Sequence, residues 1–165
     1  LRLTVAVDGE PDSSGIQGVL DRLKDWRTRY ATPRVRPVAA KLYQDGVIES
    51  GTAALLAPYL DRAGDAGQPI HTQAVLDSLA EALDREGWQI HVHAIGDRAI
   101  RMTLDAFEHS ARVNGPRDAR HTITHLQLID PHDMPRFTAE RTRDLRSSGR
   151  ESVSGLPVGG AHPFF

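Results

Sequence analysis

The sequence predicts an α/β fold built on a parallel sheet, and three observations carry that prediction. Four short apolar runs have strand character, amphipathic helical stripes lie between them, and the runs are spaced as strand–helix–strand crossovers require. Strands joined by crossovers run parallel, which places the chain among α/β proteins.

Each element follows from local pattern. Leu1, Leu3, Val5 and Val7 alternate with Arg2, Thr4 and Ala6, a period of two that predicts a strand closed by "DGEPDSSG". From Asp12 or Ser13 as N-cap, Ile16, Val19, Leu20, Leu23 and Tyr30 recur at helical spacing. Pro33 and Pro37 mark a new start, and "VRPVAAKLYQDG" reads as an extended apolar run ending in Lys41, a short charged turn and Gly46. Residues 46–70 are rich in Gly, Ala and Pro and predict a long loop with a helical turn around Thr52 to Leu60. Val75, Leu76, Leu79, Ala80 and Leu83 form one helical stripe, and Gly87 stands where a C-terminal cap belongs. "WQIHVHA" is the third strand. Asp97 can cap a helix burying Ile100, Leu104, Phe107 and Ala111, which ends at Asn114-Gly115-Pro116, and "RHTITHLQLI" is the fourth strand. Beyond Phe137, "ERTRDLRSSGRESVSGLPVGGAHPFF" is dense in Arg, Ser and Gly without a period. The expected organisation is one domain over 1–137 and a divergent, poorly ordered tail over 138–165.

Composition narrows the function. At 165 residues the chain suits one domain with a real core. Lys plus Arg number 20 against 22 Asp plus Glu, so no global field favours nucleic acid or an anionic membrane, and a small molecule or another protein is the expected partner. Cysteine is absent, which removes disulfides, thiolate ligands and a Cys nucleophile. No apolar run approaches the roughly 20 residues of a membrane helix, and "LRLTVAVDGE" lacks the charged-then-apolar pattern of a secretion signal. A cytoplasmic location is the expectation.

In parallel α/β folds, ligands and catalytic groups gather at the carboxyl ends of strands. Three strands end in a side chain that can serve a metal: Lys41 in "AAKLYQDG", His93 in "HVHAIGD" and His125 in "ITHLQ". His93 and His125 are separated by roughly one βαβ repeat of about 30 residues, so adjacent strands would deliver two imidazoles to one rim. Taken singly, each has a plainer reading. A His in an apolar strand is most often a hydrogen-bonded core residue, Lys41 would reach solvent, Asp45-Gly46 would be a turn and Asp97 a helix cap. His91 shares the face of His93 one layer deeper and reads as packing or support. His71, His109, His121, His132 and His162 read as structural or solvated, and Asp105 with Glu108 as a solvated helix face. "GDAGQ" lacks the spacing of a phosphate loop, and there is no nucleophile elbow or basic stripe interleaved with aromatics.

"AAKLYQDGVIESGTAALLAPY", "HVHAIGDRAIRMTLDAFEHS" and "RHTITHLQLIDPHDMPRF" resemble, in order and spacing, the middle of the amidohydrolase superfamily, in the branch that includes N-substituted formamide deformylase. The resemblance covers roughly residues 1–137. It implies a metal-dependent hydrolase of carbon–nitrogen bonds on a (β/α)8 TIM barrel with a small β-sandwich domain, acting on a small amide-type substrate. By it, Lys41 ends the fourth barrel strand, where many members carry a carboxylated lysine bridging two metals. His93 ends the fifth and His125 the sixth, each as ligand to a divalent metal, zinc by expectation, and Asp97 stands behind the ligands or caps its helix. The family's His-x-His pair from the first barrel strand and its Asp from the eighth have no counterpart in this sequence. The chain therefore corresponds to a partial TIM barrel, strands 3 to 6 with their helices. The loss of pattern after "MPRF" suggests a truncated or shifted reading frame or a piece of a longer protein. Alone it is expected to be inactive and to self-associate through exposed sheet edges. Two rivals stand beside this reading: a non-catalytic α/β fragment or interaction module without metal, and a flavodoxin-like open sheet with a ligand at its strand ends.

Overall fold

The structure, a computed structural model, describes residues 3–139 and 143–145. Strand β1 (Leu3–Asp8) leads to helix α1 (Gly15–Tyr30), β2 (Val35–Tyr43), α2 (Gln73–Arg85), β3 (Gln89–Ala94), α3 (Asp97–Asn114), β4 (Thr122–His125), the short helix α4 (Arg136–Ala139) and β5 (Arg143–Leu145). The strands form one sheet in the order β1-β2-β3-β4-β5, every neighbouring pair parallel. A doubly wound sheet of the flavodoxin kind reverses its order at the ligand site; the described strands run in sequence without reversal.

The two faces of the sheet differ in chemistry. Ala40, Leu42, Ile90, Val92, Ala94 and Ile123 are buried against Val19 and Leu23 of α1, Leu76, Ala80 and Leu83 of α2, and Ile100, Leu104 and Phe107 of α3. The opposite face carries Lys41, Tyr43, His91, His93 and Thr124, because side chains alternate along a strand. Proline shapes the β1–β2 pairing. Val5 pairs with Pro37 and Ala6 with Ala39, a one-residue slip beside a residue that has no N–H to donate.

Several local expectations are corrected. Ser14, rather than Asp12 or Ser13, is the residue before α1, and Gly96, rather than Asp97, precedes α3. Val75 lies in the first turn of α2 and stays exposed. Thr52 to Leu60 forms turns, not a helical turn, since its amides bond to distant groups: Leu55 N–H to the Ala66 carbonyl and Tyr59 N–H to that of Asp65. Strand β4 is shorter than "RHTITHLQLI" because His125 and Leu126 adopt φ of 82° and 47° and turn the chain out of the ladder. Residues 140–142 and 146–165 of the expected poorly ordered tail lie outside the described residues. Within 138–165, the end of α4 and strand β5 were not anticipated, since three or four residues are too few to display a period.

At the amino ends of the strands, a buried charge network closes the helix layer. Asp84 in the last turn of α2, 3% exposed, accepts from Asn114 Nδ2 at 2.9 Å and Arg117 Nε at 2.5 Å, with His121 Nε2 at 3.3 Å. His121 Nδ1 in turn accepts from the Ile90 N–H at 3.1 Å, and Arg117 reaches the Trp88 carbonyl. Burial pulls the Asp84 carboxyl up, but the bonds from His121, Asn114 and Arg117 prevail and hold it down at about 2. A carboxyl depressed in the fold stabilises above its unfolded pKa, and that contribution is lost as pH falls from about 4 towards 2. Denaturant melts at pH 5, 3 and 2 should show a loss of about 2 kcal/mol across this window that Asp84→Asn flattens. In the helix-facing layer, Ile90→Ala should lower unfolding free energy by about 2–5 kcal/mol in the same assay.

Candidate functional site

The carboxyl ends of β2, β3 and β4 bring three of the sequence-selected side chains into one region, with a register that distinguishes them. Lys41 pairs with His91, and Tyr43 pairs with His93, so Lys41 lies one layer below the His93 row. Its Nζ donates to the Leu42 carbonyl at 2.9 Å and sits 3.8 Å above the centre of the Tyr43 ring. His93 Nε2 lies 3.0 Å from the Gly46 carbonyl, which can only accept, so this nitrogen carries the proton and Nδ1 keeps a free lone pair.

His125 reaches His93 through its backbone. It pairs with Ala94, whose side chain is buried in the helix layer, so a regular strand would turn His125 the same way. The left-handed φ of 82° redirects it, and the rings of His93 and His125 meet edge to face with centroids 4.6 Å apart. Non-glycine residues held in this region carry strain on the order of 1–3 kcal/mol and cluster at functional sites.

Burial and neighbouring charges disfavour the protonated forms of His125, His91 and Lys41. Burial, then the charges of His93 and Lys41, push the His125 imidazole below its ordinary value, and burial, Lys41 and His125 do the same to His91. Burial brings Lys41 down to about 8, against the pull of Glu10. Neutral nitrogens with free lone pairs are what a metal requires.

Two residues that the sequence presented as turn chemistry organise the site. Asp45, 2% exposed, accepts from the N–H groups of Ala54 at 3.0 Å, Ile95 at 3.0 Å and Gly96 at 2.8 Å, with Oδ1 3.6 Å from His93 Nε2. Burial pushes its carboxyl up while those amides oppose the shift. Gly96 is required there, since a Cβ would lie 2.1 Å from the Ala54 carbonyl oxygen. Glu10, after β1, accepts from the Tyr43 N–H through one oxygen and meets His71 Nε2 at 2.7 Å through the other, which buries His71 as a structural group. The available signal was the pair of Asp-Gly and Gly-Asp steps at successive strand ends, "QDG" and "IGD".

Asp97 acts as a clamp: its Oδ1 accepts from the N–H of Leu56 at 2.8 Å and of Arg98 at 2.9 Å. His109 pairs with Glu81 and His132 with Asp130 away from the site, while His162 lies outside the described residues. Asp105 and Glu108 bind Arg136 rather than water alone. Among the described residues no group of three His, Cys, Asp or Glu could hold a metal, and the Asp45 carboxylate is bonded to three backbone amides. The two imidazoles fit neighbouring positions around one ion, since rings on a tetrahedral zinc have centroids about 5 Å apart, and a third donor must come from elsewhere.

Replacing Asp45 by Ala strands three buried amides at a cost of about 1–3 kcal/mol each. Urea unfolding should show a loss of at least roughly 3 kcal/mol, with His93 ring resonances displaced in NMR spectra.

Comparison with known proteins agrees with this architecture. The profile of the amidohydrolase family matches residues 1–144. The chain is 34% identical over 117 residues to the exoenzymes regulatory protein AepA of Pectobacterium carotovorum subsp. carotovorum, covering 71% of this chain and 24% of that protein. It is 34% identical over 98 residues to the putative amidohydrolase YtcJ of Bacillus subtilis (strain 168), covering 59% of this chain and 18% of the relative. Among solved structures, an uncharacterized metal-dependent hydrolase from Pyrococcus furiosus superposes with a TM-score of 0.64 and 27% identity, over 77% of this chain and 26% of that one. The chain thus spans about a quarter or less of the length of these relatives. It belongs to the amidohydrolase family.

Proposed function

We propose that the chain is the central part of a metal-dependent hydrolase that cleaves carbon–nitrogen bonds in small amide-type molecules, in the manner of the formamide deformylase branch. In this reading the sheet is an arc of a (β/α)8 barrel, strands 3 to 6, and residues 1–137 form one partial domain. Sequential parallel order, helices on the apolar face and a polar opposite face support it. The observation that carries the function is the left-handed turn at His125, which draws its ring against His93 at the carboxyl end of the sheet.

Lys41, His93 and His125 are this chain's share of a divalent-metal centre, most simply zinc. His93 offers Nδ1 because Nε2 is held by the Gly46 carbonyl. Lys41, with a pKa of about 8, is unprotonated in roughly one molecule in ten at pH 7, far more often than an ordinary lysine, and only the free amine can take up CO2 to become a carbamate ligand. A bound divalent ion supplies an acidified water and polarises the amide carbonyl. The remaining ligands and the proton acceptor belong to parts of the fold outside this chain. Balanced charge supports a small-molecule substrate in the cytoplasm over nucleic acid or membrane, and no helix among the described residues is long and apolar enough to cross a membrane. Among the described residues no further strand pairs with the outer edges of β1 and β5, and isolated chains would associate through them.

The lack of a three-donor group among the described residues favours the alternative, an α/β module without metal. Zinc titration by calorimetry at pH 7.5 decides between them. We expect weak binding that falls at least tenfold in His93→Ala and in His125→Ala and weakens as pH is lowered and protons compete with the metal for its ligands. Identical zinc affinity in the double variant would remove the metal assignment.

A further inference from the structure

The loop that leaves β2 does more than close the rim. Residues 46–70 and the turn after β4 line an open cavity of about 690 Å³ whose wall includes Ile48, Leu55, Pro58, Leu60 and Leu128. That volume lies in the range of small-molecule pockets, about 300–1,000 Å³. Its place follows from the backbone of the candidate centre. Ile48 stands two residues beyond Gly46, whose carbonyl holds His93, and Leu128 stands three beyond His125, with its N–H on the Ile95 carbonyl.

The wall is pre-formed. Asp45 and Asp97 hold the N–H groups of Ala54 and Leu56, and Leu55 N–H is tied to the Ala66 carbonyl. Apart from Glu49 and Gln127, the polar groups in the wall are spent on the loop itself: the Tyr59 hydroxyl donates to the Ala53 carbonyl, and Arg62 donates to the Ser50 carbonyl and stands 3.9 Å from Asp61. Glu49, Asp61 and Arg62 are the charged residues of the lining, so it has no excess positive charge to receive a carboxylate. Leu60, 85% exposed, and Leu56 and Val47 add apolar surface on the same loop, which the packing of the fold does not use.

We propose that this cavity binds the apolar substituent of an uncharged amide substrate, a phenyl or branched alkyl group, and that residues 46–70 set that specificity. The identification of the ligand as a substrate rests on the hydrolase reading; the cavity and its chemistry do not. Ligand-observed NMR titration of the full chain with N-(2-phenylethyl)acetamide, N-methylacetamide and the anion N-acetylphenylalanine tests it. The phenylethyl amide should bind at least about tenfold more tightly than either of the others, the worth of burying one large apolar group. Leu60→Asp should weaken it about tenfold and Leu60→Met restore it, with circular dichroism unchanged because Leu60 contributes little buried surface to the fold. Equal binding of the phenylethyl amide and N-methylacetamide, or indifference to Leu60→Asp, overturns the proposal. Zinc uptake measured on the same samples separates the two readings. Discrimination without zinc uptake supports the cavity and removes the hydrolase centre, whereas zinc uptake without discrimination retains the centre and overturns the cavity.

Discussion

A buried carboxylate that must be fully bonded is the constraint on which the carboxyl end of this sheet depends. Asp45 sits at the end of β2 with almost no exposure and takes backbone N–H groups from the following loop, at Ala54, and from the β3–α3 turn, at Ile95 and Gly96. Each bond satisfies an amide that would otherwise be buried without a partner, and together they tie three segments that meet only in the folded state. Ala54 completes the joint from its other side, its carbonyl accepting from Arg98 and Ala99 in the first turn of α3, where helix donors lack intrahelical partners. The placement of His93, the start of α3 and the wall of the loop cavity all follow from this joint.

The His93–His125 pair shows how a site is assembled against local preference. A strand of regular pitch would send His125 into the helix layer; the left-handed φ turns it to the polar face and leaves Leu126 in the core. The strain is tolerated because Leu126 N–H bonds to the Ala94 carbonyl and Leu128 N–H to that of Ile95, so the turned segment remains anchored to β3. Around the pair, desolvation first and then repulsion from neighbouring cationic groups, Lys41 among them, favour the uncharged forms of His125 and His91. A site poised to lose protons suits cation binding better than a solvated surface does.

Rigidity at the rim has its counterpart at the other end of the sheet. Asp84, Asn114, Arg117 and His121 join α2, α3 and the entry to β4 in a network at the amino ends of the strands. Conserving binding geometry at the carboxyl ends while stabilising the amino ends is the division of labour usual in parallel α/β folds. Arg27 stacked 3.5 Å above Trp88 extends that support to α1.

Period and spacing alone made much of this chain legible: the first four strands, the three long helices and the strand-end positions of His93 and His125 all follow from residues that are near neighbours in sequence, whereas Lys41, expected to end its strand, stands two residues inside the end of β2. The short elements α4 and β5 were not legible, because a period needs more residues than they have. Nor was the task of Asp45, read from "QDG" as a turn, since its partners lie nine, fifty and fifty-one residues away. The sequence by itself therefore determined which faces are apolar and which strands end in metal-capable groups, because those depend on local alternation. Only the tertiary structure decided that His125 turns to meet His93, that Lys41 sits a layer below them and that the long loop is a fixed wall, because each depends on bonds between segments that the chain must first fold to bring together.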